Sequence, residues 1–522
     1  MSYQRLTEFA SSSESSALND SIKLELLSFV KRLQQHPLGS EMNYRDEKKL
    51  FGKAHRSVFS ADSLLKIIEK ECQVDQKGAE KIANSMIEHE MIICTSDGKK
   101  KHMIRDGKLF KFTQKYLPRM VILGGGHAGI TVAQNLYEYF NIILIDKNDV
   151  SSLKPSHPIV LEKEEHAEKI SVQLSEVMKN RGTFIRGLVR HVTPNGVFIE
   201  TSNTTFEFDS LDSTQVDDKI SQNCKFLKFE YLVIATGSSS WKNKLDFTQD
   251  NHPDNKIHYV DPYSLESVKS SVPLLKSDST KKIVLIGGGF IGVEFTGSLA
   301  FSYPKREFIL IQRGDMLMKP SEAAHKVVSD DFKKFKNLKV MFNSQVTSQK
   351  DGNTLVVKTS DTKNQQQDGS EEVEIDCAVC YLCSGGKPNT DMLKGSVFES
   401  VLDDRGYIKV NKHFQLLDPS DNTKYLRNIF ALSDVNNLEV DKLMQNARLQ
   451  SATFTDVAKL LVQHSKESLP SYDVDVRVKA ASVGPKHGFV IKEEKVLFSS
   501  FMVNKLKGVL ETTVMKQYRK TD

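Results

Sequence analysis

Residues 119–136, RMVILGGGHAGITVAQNL, and residues 281–300, KKIVLIGGGFIGVEFTGSLA, follow one plan. In each, an apolar run is followed by G-x-G-x-x-G and then by a run suited to a helix. The first glycines of the two motifs, Gly124 and Gly287, lie 163 residues apart (287 minus 124). A glycine motif between a strand and a helix is typical of dinucleotide binding, so the sequence predicts two such units in one chain.

The first unit gives each glycine a separate task. Gly124 makes the tight turn, Gly126 lets the backbone approach a pyrophosphate, and Gly129 lets the helix pack on the strand. The phosphates would meet the free N–H groups at the start of the helix. The next strand, IILI, ends at Asp146, 17 residues past Gly129, where a carboxylate can accept hydrogen bonds from ribose hydroxyls. The predicted binding set also includes three neighbours: His127, Ala128 and Lys147.

The second unit keeps this frame but lacks the acid. Its second strand, FILIQ, ends at Gln312, where an acid for a ribose 2′-hydroxyl is usual. Gln312 and Arg313 suit a 2′-phosphate instead, so the predicted ligand is NAD(P)H with NADPH slightly favoured. The alternative is that Arg313 simply points into solvent. The residues predicted to bind this dinucleotide are Gly287, Gly289, Phe290, Ile291, Gly292, Gln312 and Arg313.

Three further apolar strands end in short turns. Residues 229–239 end in ATGSS, residues 378–386 end in SGG, and residues 426–436 carry Asp434. Two dinucleotide units with these strands in this order resemble the flavoproteins with two dinucleotide-binding domains, namely the disulfide reductases, the type II NADH dehydrogenases and the apoptosis-inducing-factor-like oxidoreductases. The resemblance covers about residues 117–522.

The resemblance implies an α/β fold in which one Rossmann-type domain binds FAD and a second binds the nicotinamide. It places Asp434 at the ribityl and pyrophosphate region of the flavin, Glu294 near the nicotinamide, and Gly385 in a turn close to the dinucleotide. This chain has Ser433 before Asp434 where the family usually has glycine, which leaves the local turn geometry open. The other flavin contacts implied are Lys154, Val189, Ala235, Thr236 and Gly237.

Cysteine placement narrows the branch of the family. Disulfide reductases place a cysteine pair over the flavin shortly after the first glycine motif, but this chain has no cysteine between Gly129 and Cys224. Electrons therefore cannot leave through such a pair. Residues 308–317, 407–416 and 441–460 are similar to the ferroptosis-suppressor branch of the apoptosis-inducing-factor-like proteins. That branch consists of NAD(P)H:quinone oxidoreductases, which implies a ubiquinone-like acceptor at a membrane surface.

Lys442 and Glu294 are predicted to be catalytic. In the family, a helix that begins near Asp441 starts beneath the flavin, where its positive end faces the charge that develops on reduction. Lys442 would lie in the first turn, an unfavourable place for a cation, so we predict that it stabilises reduced flavin or supplies a proton to the quinone. The alternative is a solvated surface lysine. The loop of Lys154, Pro155 and His157 is expected at the flavin face, although Lys-Pro is also an ordinary turn.

Composition limits the other functions. A chain of 522 residues predicts about three domains, and 39% apolar with 27% charged residues is typical of a globular protein. The net charge of +5 is too small to indicate a nucleic-acid partner. The N-terminus resembles neither a signal nor a transit peptide, and Ser2 excludes myristoylation, so a cytoplasmic location is expected, with peripheral attachment to membranes or lipid droplets as the alternative.

The six cysteines are scattered, which suits a reducing compartment. Cys377, Cys380 and Cys383 lie in an apolar run and are predicted to form a buried strand rather than a metal site. No metal site is predicted elsewhere.

The sequence divides into five predicted segments. They are a disordered tail at 1–20, a DEP-like winged-helix α+β domain at 21–117, an FAD-binding domain at 118–250 and 395–465, an NAD(P)H-binding domain at 251–394, and a C-terminal interface or membrane-docking segment at 466–522.

The two end segments suggest membrane contact. Residues 61–72 and 76–89 predict helices, the second capped by Asp75, and a hairpin turns at Asp97-Gly98. This pattern is similar to DEP domains, which dock on lipids or receptor-type partners. The hairpin lysines would face lipid or be only a solvated tip: Lys99, Lys100 and Lys101. Residues 498–510 place apolar side chains at helical spacing among lysines, which predicts either a membrane-surface helix or a helix packed on the core.

Two rival functions stay open beside quinone reduction. One is the reductase of a protein electron carrier. The other is an NAD(P)H-sensing cell-death signalling flavoprotein whose turnover is incidental. Homodimer formation is also open.

Overall fold

The computed structural model describes residues 3–12, 20–34, 45–47, 55–95, 109–210, 218–240, 256–277, 279–350, 352–360, 370–465, 467–474 and 478–520. All structural statements below refer to these residues.

In its described residues, the N-terminal domain combines four helices with a small sheet. Its elements are α1 (Gln4–Ser11), α2 (Asp20–Leu33), β1 (Arg45–Glu47), β2 (His55–Ser60), α3 (Ala61–Cys72), α4 (Gln76–Glu88), β3 (Ile92–Cys94) and β4 (Leu109–Phe112). The strands form one sheet in the order β1-β2-β4-β3. Asp75 caps α4 as predicted, because its Oδ1 accepts a hydrogen bond of 2.8 Å from the N–H of Gly78. The three lysines of the predicted basic wing lie outside the described residues.

The prediction of a disordered tail is wrong for residues 3–12. They contain α1, whose Leu6 and Phe9 are buried in the core of the N-terminal domain. Leu6 and Phe9 are three residues apart and so share one helix face. The serine-rich composition concealed this short amphipathic pattern.

The first dinucleotide unit follows a 3-10 turn at Gln114–Tyr116. Its elements are β5 (Arg119–Leu123), α5 (His127–Leu136), β6 (Asn141–Asp146), β7 (Val150–Ser152), α6 (His157–Glu162), α7 (His166–Lys169), β8 (Ser171–Gln173), α8 (Leu174–Met178), β9 (Gly182–Arg186), β10 (Leu188–Thr193), β11 (Gly196–Glu200), α9 (Asp218–Asn223), β12 (Lys225–Lys228), β13 (Tyr231–Ile234) and β14 (Ser238–Ser240).

The second unit repeats the plan. Its elements are β15 (His258–Val260), α10 (Leu265–Lys276), β16 (Lys282–Ile286), α11 (Phe290–Ser302), β17 (Phe308–Ile311), α12 (Glu322–Phe332), β18 (Leu338–Met341), β19 (Ser344–Lys350), β20 (Thr354–Ser360), β21 (Ser370–Leu382) and β22 (Gly386–Pro388).

The chain then returns to the first unit and ends in a small sheet and a long helix. These elements are β23 (Gln415–Asp418), β24 (Asp421–Ala431), α13 (Met444–Val462), β25 (Val478–Ser482), β26 (Gly488–Lys492), β27 (Lys495–Ser499) and α14 (Met502–Tyr518). Among the described helices, none is long and apolar enough to cross a bilayer.

Two sheets dominate the molecule. The first has the order β23-β24-β13-β5-β6-β9, and the second has the order β18-β17-β16-β21-β20-β19 with β15 added on β21. In the first sheet β5 pairs parallel with both β6 and β13, and in the second β16 pairs parallel with both β17 and β21. Because the carboxyl ends of parallel strands meet at one edge, each glycine turn opens at the ligand-binding edge of its sheet. This confirms the predicted α/β class with two Rossmann-type units.

The cysteines of residues 377–383 belong to the core of the second unit, as predicted. Cys377, Cys380 and Cys383 are buried, and burial raises the pKa of each thiol.

Candidate active site

The two glycine turns have nearly the same geometry. Gly124 has φ of +104° and Gly287 has φ of +108°, a region that favours glycine. A Cβ on Gly124 would lie 2.4 Å from the carbonyl oxygen of Ala235, and a Cβ on Gly287 would lie 2.7 Å from that of Cys383. In both units the first glycine therefore lets the turn approach the next strand of the sheet.

The other glycines of each motif divide into close-packed and open positions. A Cβ on Gly129 would lie 1.9 Å from the Gly124 oxygen, and one on Gly292 would lie 1.8 Å from the Gly287 oxygen. At Gly126 and Gly289, by contrast, a Cβ would meet no atom of the described residues within 4 Å. The open space beside these second glycines is where a pyrophosphate would approach the backbone, so both sites fit a dinucleotide.

The residues at the ends of the second strands support the glycine turns. The Asp146 carboxylate accepts a hydrogen bond of 2.7 Å from the Gly125 N–H, and the Gln312 amide oxygen accepts one of 2.9 Å from the Gly288 N–H. The Gln312 amide nitrogen donates to the Met316 oxygen at 3.0 Å. Gln312 therefore occupies the structural place of Asp146. The adjacent cations, Lys147 and Arg313, are exposed.

A short ribbon joins the two units. Strands β14 and β22 pair antiparallel. Strand β14 follows the turn at Gly237, and β22 follows the turn at Gly385. The Thr236 hydroxyl donates to the Asn389 oxygen at 2.6 Å, and the Asn389 amide donates to the Thr236 oxygen at 3.0 Å. Gly237 has φ of +67°, and Gly385 has φ of +100° with open space beside it. The ribbon brings the two turns, one from each unit, to the same place.

A polar cluster lies on this ribbon. The Lys154 ammonium donates to the Ser238 oxygen at 3.2 Å and lies 5.3 Å from the centre of the Tyr263 ring. The Ser238 hydroxyl donates to the Asp434 carboxylate at 2.9 Å. Burial raises the pKa of the Tyr263 hydroxyl, and the negative charge of Asp434 adds to that effect. Lys154 and Asp434, far apart in sequence, are thus brought together through Ser238. Val189 lies in β10, where it pairs with Ile199 of β11.

Ser433 adopts the conformation that glycine would favour. Its φ is +69°, in the left-handed region. The backbone is held there by Gln450, whose side-chain oxygen accepts a hydrogen bond of 2.7 Å from the Ser433 N–H and one of 2.9 Å from the Asn436 amide. The question about the Ser433-Asp434 turn is therefore answered: the turn keeps the glycine-like geometry. Sequence reasoning missed Gln450, because nothing local distinguishes it from other polar residues of α13.

Lys442 requires a correction. It does not lie in the first turn of a helix, because α13 begins at Met444 after an extended Leu443. It is not a solvated surface lysine either. Its ammonium donates to the backbone oxygens of Asn436 at 2.8 Å and Leu438 at 3.2 Å, and it lies 5.1 Å from the centre of the Tyr407 ring. Burial lowers the pKa of Lys442 to about 8, partly opposed by the carboxylate of Asp434.

No side chain of the described residues caps the start of α13. Leu443 is the N-cap residue and provides no side-chain cap. The Asn446 amide instead donates to the Asp441 oxygen at 2.8 Å, which ties the preceding loop to the helix. The predicted positive helix end is therefore present, shifted by three residues from Asp441 to Met444.

Glu294 is buried in the second unit, at 9% exposure. It lies in α11, two residues after the third glycine of the motif. Its Oε1 accepts a hydrogen bond of 2.9 Å from the Ser482 N–H and forms an ion pair with the Lys507 ammonium. Both partners come from the C-terminal segment, and sequence reasoning did not predict either contact.

His127 is the first residue of α5 and lies beside the open space at Gly126. Its Nδ1 shares a hydrogen bond with the Tyr518 hydroxyl. Its Nε2 is buried and has no hydrogen-bond partner among the described residues. Burial lowers the pKa of His127 to about 4, so the ring is neutral at pH 7. A neutral ring can donate or accept one further hydrogen bond from a ligand at this helix start.

His157 connects the two units. Its Nδ1 donates to the Pro262 oxygen at 2.9 Å, and its Nε2 accepts from the Ser152 hydroxyl at 2.9 Å. Both ring nitrogens are used, and burial lowers the pKa of the ring to about 4. His157 therefore holds the Lys154 loop in place and is not available to a substrate.

These features are typical of a class of protein that holds one dinucleotide at each of two glycine turns. The two dinucleotide-binding units are connected by the β14–β22 ribbon and its polar cluster. The chain belongs to the pyridine nucleotide-disulphide oxidoreductase family, whose model matches residues 118–452. It is an FAD-dependent oxidoreductase that uses NAD(P)H.

Individual relatives agree with the sequence resemblance. The chain is similar to apoptosis-inducing factor homolog B of Dictyostelium discoideum, with 23% identity over 403 residues that cover 75% of this chain and 93% of the relative. It is also similar to ferroptosis suppressor protein 1 of Xenopus tropicalis, with 24% identity over 382 residues, covering 71% and 87%. Among solved structures, the sulfide:quinone oxidoreductase from Aquifex aeolicus has a TM-score of 0.58 and 17% identity, covering 77% of this chain and 91% of that one. The predicted family and cofactors are confirmed, whereas the DEP-like domain stays a prediction.

Proposed function

We propose that this chain takes a hydride from NAD(P)H bound by the second glycine unit, passes it to FAD bound by the first, and then delivers two electrons to a quinone. The observation that carries the proposal is the polar cluster on the ribbon, where Ser238 joins Lys154 to Asp434. The negative charge of Asp434 also acts on the nearby ammonium of Lys442. No cysteine pair accompanies them, since the chain has no cysteine between Gly129 and Cys224. The electrons then need an acceptor that approaches the flavin directly.

Each part of the flavin site has a task in this proposal. The bound FAD supplies the hydride acceptance and the two-electron transfer. The Gly126 turn and the N–H groups of α5 would hold the pyrophosphate, with the His127 Nε2, which has no partner among the described residues, beside them. Asp434, oriented by the Ser238 hydroxyl, would hold the ribityl and pyrophosphate region through its carboxylate. The uncapped start of α13 would favour negative charge at the flavin edge.

Lys442 is the proposed proton donor. An ammonium with a pKa of about 8 is mostly protonated at pH 7 and can still release its proton to a reduced quinone. The negative charge of Asp434 partly opposes the lowering of the Lys442 pKa, because it favours the protonated ammonium. The ammonium also contributes positive charge close to the reduced flavin.

The second unit would orient the nicotinamide. Gly289 and Gly385 border open space at the two turns, and Glu294 lies in α11 just beyond the glycine motif. Gln312 uses its amide on Gly288 and Met316, so the exposed Arg313 remains the group that would meet a 2′-phosphate. NADPH is therefore slightly favoured, and Arg313→Ala should raise KM for NADPH but not for NADH.

A quinone is the proposed acceptor partly because of the relatives. The sulfide:quinone oxidoreductase that shares this fold acts, by its name, on a quinone. The C-terminal segment adds a surface suited to lipid, which we call the C-terminal apolar face. Its side chains are between 48% and 62% exposed: Leu497, Phe498, Phe501, Met502, Leu506, Val509 and Leu510. An exposed apolar group of this size next to lysines is typical of contact with an anionic membrane surface.

Two experiments test the proposal. In the first, NADH and NADPH oxidation is followed with a short-chain ubiquinone and, separately, with a ferredoxin; the proposal expects rapid turnover with the quinone alone. In the second, vesicle binding is compared for the full chain, for a Phe501→Ser/Leu506→Ser variant, and for the chain lacking residues 1–117. Loss of binding to anionic vesicles in either variant assigns the contact, and unchanged binding in both contradicts the membrane part of the proposal.

A further inference from the structure

The C-terminal helix α14 carries charged groups on its buried side. The inward positions are Val503, Lys507, Glu511 and Val514, at spacings of four, four and three residues. Lys507 pairs with Glu294, and Glu511 pairs with His166 at 3.0 Å. Charged residues on the buried side of a helix fix its position strongly, because each is stable only opposite its own partner.

The same helix contacts both glycine-motif helices. Near its middle, Lys507 is bound to Glu294 in α11, the helix that follows the second glycine turn. At its end, Tyr518 is bound to His127, the first residue of α5, which follows the first glycine turn. Gln134 in α5 also donates to the Gln517 oxygen at 3.1 Å. Lys507 and Tyr518 are 11 residues apart, which corresponds to about 16 Å along a helix.

Both ends of α14 are further anchored. The Asn504 amide donates to the Gly484 oxygen at 2.9 Å, and Gly484 packs so closely on α11 that a Cβ on Gly297 would lie 2.5 Å from its nitrogen. At the other end, the Arg519 guanidinium donates to the Lys169 oxygen at 2.8 Å. The helix is therefore fixed to the second unit at one end and to the first unit at the other.

We propose that α14 is a strap that sets the relative position of the two dinucleotide-binding units, with Lys507 and Tyr518 as positioning residues for hydride transfer. Neither side chain needs to touch a reacting atom. The inference rests on the two cofactors and does not depend on the quinone, so it can fail or hold independently of the proposed acceptor.

The physical basis is the steep dependence of hydride transfer on geometry. A displacement of about 1 Å between reacting groups can reduce a rate by about a hundredfold. Lys507→Met leaves the Glu294 carboxylate buried with one backbone N–H as its remaining partner, which favours a shift of α11 toward water. Tyr518→Phe removes only a hydroxyl and leaves His127 Nδ1 without its partner.

The test uses the purified holoenzyme and the reductive half-reaction alone. Flavin bleaching is measured at saturating NADH, NAD⁺ binding is measured by calorimetry, and the melting temperature is recorded. The variants are Lys507→Met, Lys507→Arg and Tyr518→Phe. The matched control is Lys505→Met, because Lys505 lies on the same helix, is exposed, and contacts only the Phe501 ring at 5.2 Å among the contacts described.

The strap predicts that Lys507→Met lowers the limiting rate of flavin reduction about tenfold or more, with NAD⁺ affinity within about threefold of the parent. Lys507→Arg restores the rate, Tyr518→Phe gives a smaller loss of the same kind, and Lys505→Met changes nothing. The proposal is overturned if Lys507→Met lowers only the melting temperature, or if its limiting rate matches that of Lys505→Met. Should Lys507→Met fail to fold, an unchanged limiting rate in Tyr518→Phe overturns it equally.

Discussion

The turn that presents Asp434 should depend on one buried amide, Gln450, which is 1% exposed. Gln450→Met preserves the length of the side chain but removes the acceptor of two hydrogen bonds, from the Ser433 N–H at 2.7 Å and from the Asn436 amide at 2.9 Å. Each buried N–H group left without a partner costs about 1–3 kcal/mol, so we expect a loss of about 2–6 kcal/mol for the two. Ser433 should then leave its left-handed conformation, because its N–H is no longer held there.

The assay combines thermal unfolding with the release of FAD, followed by flavin fluorescence. Because a chain of several domains need not unfold in one step, the transition that releases FAD is the one to compare. Gln445→Met is the matched control, since Gln445 is exposed on the same helix. The reasoning is refuted if the two variants differ by less than about 0.5 kcal/mol at that transition, or if Gln450→Met loses stability without losing FAD affinity.

Three further changes have clear expected outcomes. Burial lowers the pKa of Lys442 to about 8 from its ordinary value of 10.5, so between these pH values the unfolded chain binds more protons than the folded protein, and stability should rise with pH from about 8 to about 10.5. Lys442→Met should abolish that rise, measured as the melting temperature against pH. Quinone turnover by the parent should fall above about pH 8, because the proposed proton donor is then deprotonated. Gly129→Ala should abolish FAD binding, measured by the flavin content of the purified protein, because the new Cβ would lie 1.9 Å from the Gly124 oxygen. Gly508→Ala should raise the melting temperature through about 0.5–1 kcal/mol of helix stability, since its Cβ meets no described atom within 4 Å; a decrease would contradict the helical strap.

Sequence patterns predicted the parts of the molecule that depend on contacts between residues close together in the chain. The glycine turns could be predicted from the sequence, because the close contact that requires glycine joins Gly124 and Gly129, which lie within a few residues of each other in the chain. The cap at Asp75 and the buried cysteine strand follow from similarly short-range rules. The start of α13 was misplaced by three residues, because the Asn446 side chain binds the Asp441 oxygen and competes with the first helical turn.

The contacts that complete the site depend on distant pairs and left no local signal. Lys507 and Glu294 are 213 residues apart, and Tyr518 and His127 are 391 residues apart. Periodicity marked α14 as amphipathic but could not choose between membrane and core. The structure buries Val503, Val514 and Tyr518 against the protein, while the C-terminal apolar face is exposed.

Stopped-flow absorbance of the flavin tests the central claim most directly. The holoenzyme is first mixed with NADH or NADPH and then with a short-chain ubiquinone. The account predicts rapid bleaching followed by rapid recovery of the oxidised spectrum, with the same rates in a variant in which Cys377, Cys380 and Cys383 are replaced by alanine and the fold is retained. Bleaching without recovery by any quinone would contradict quinone reduction, and would move the assignment to a protein acceptor or to a redox-sensing role.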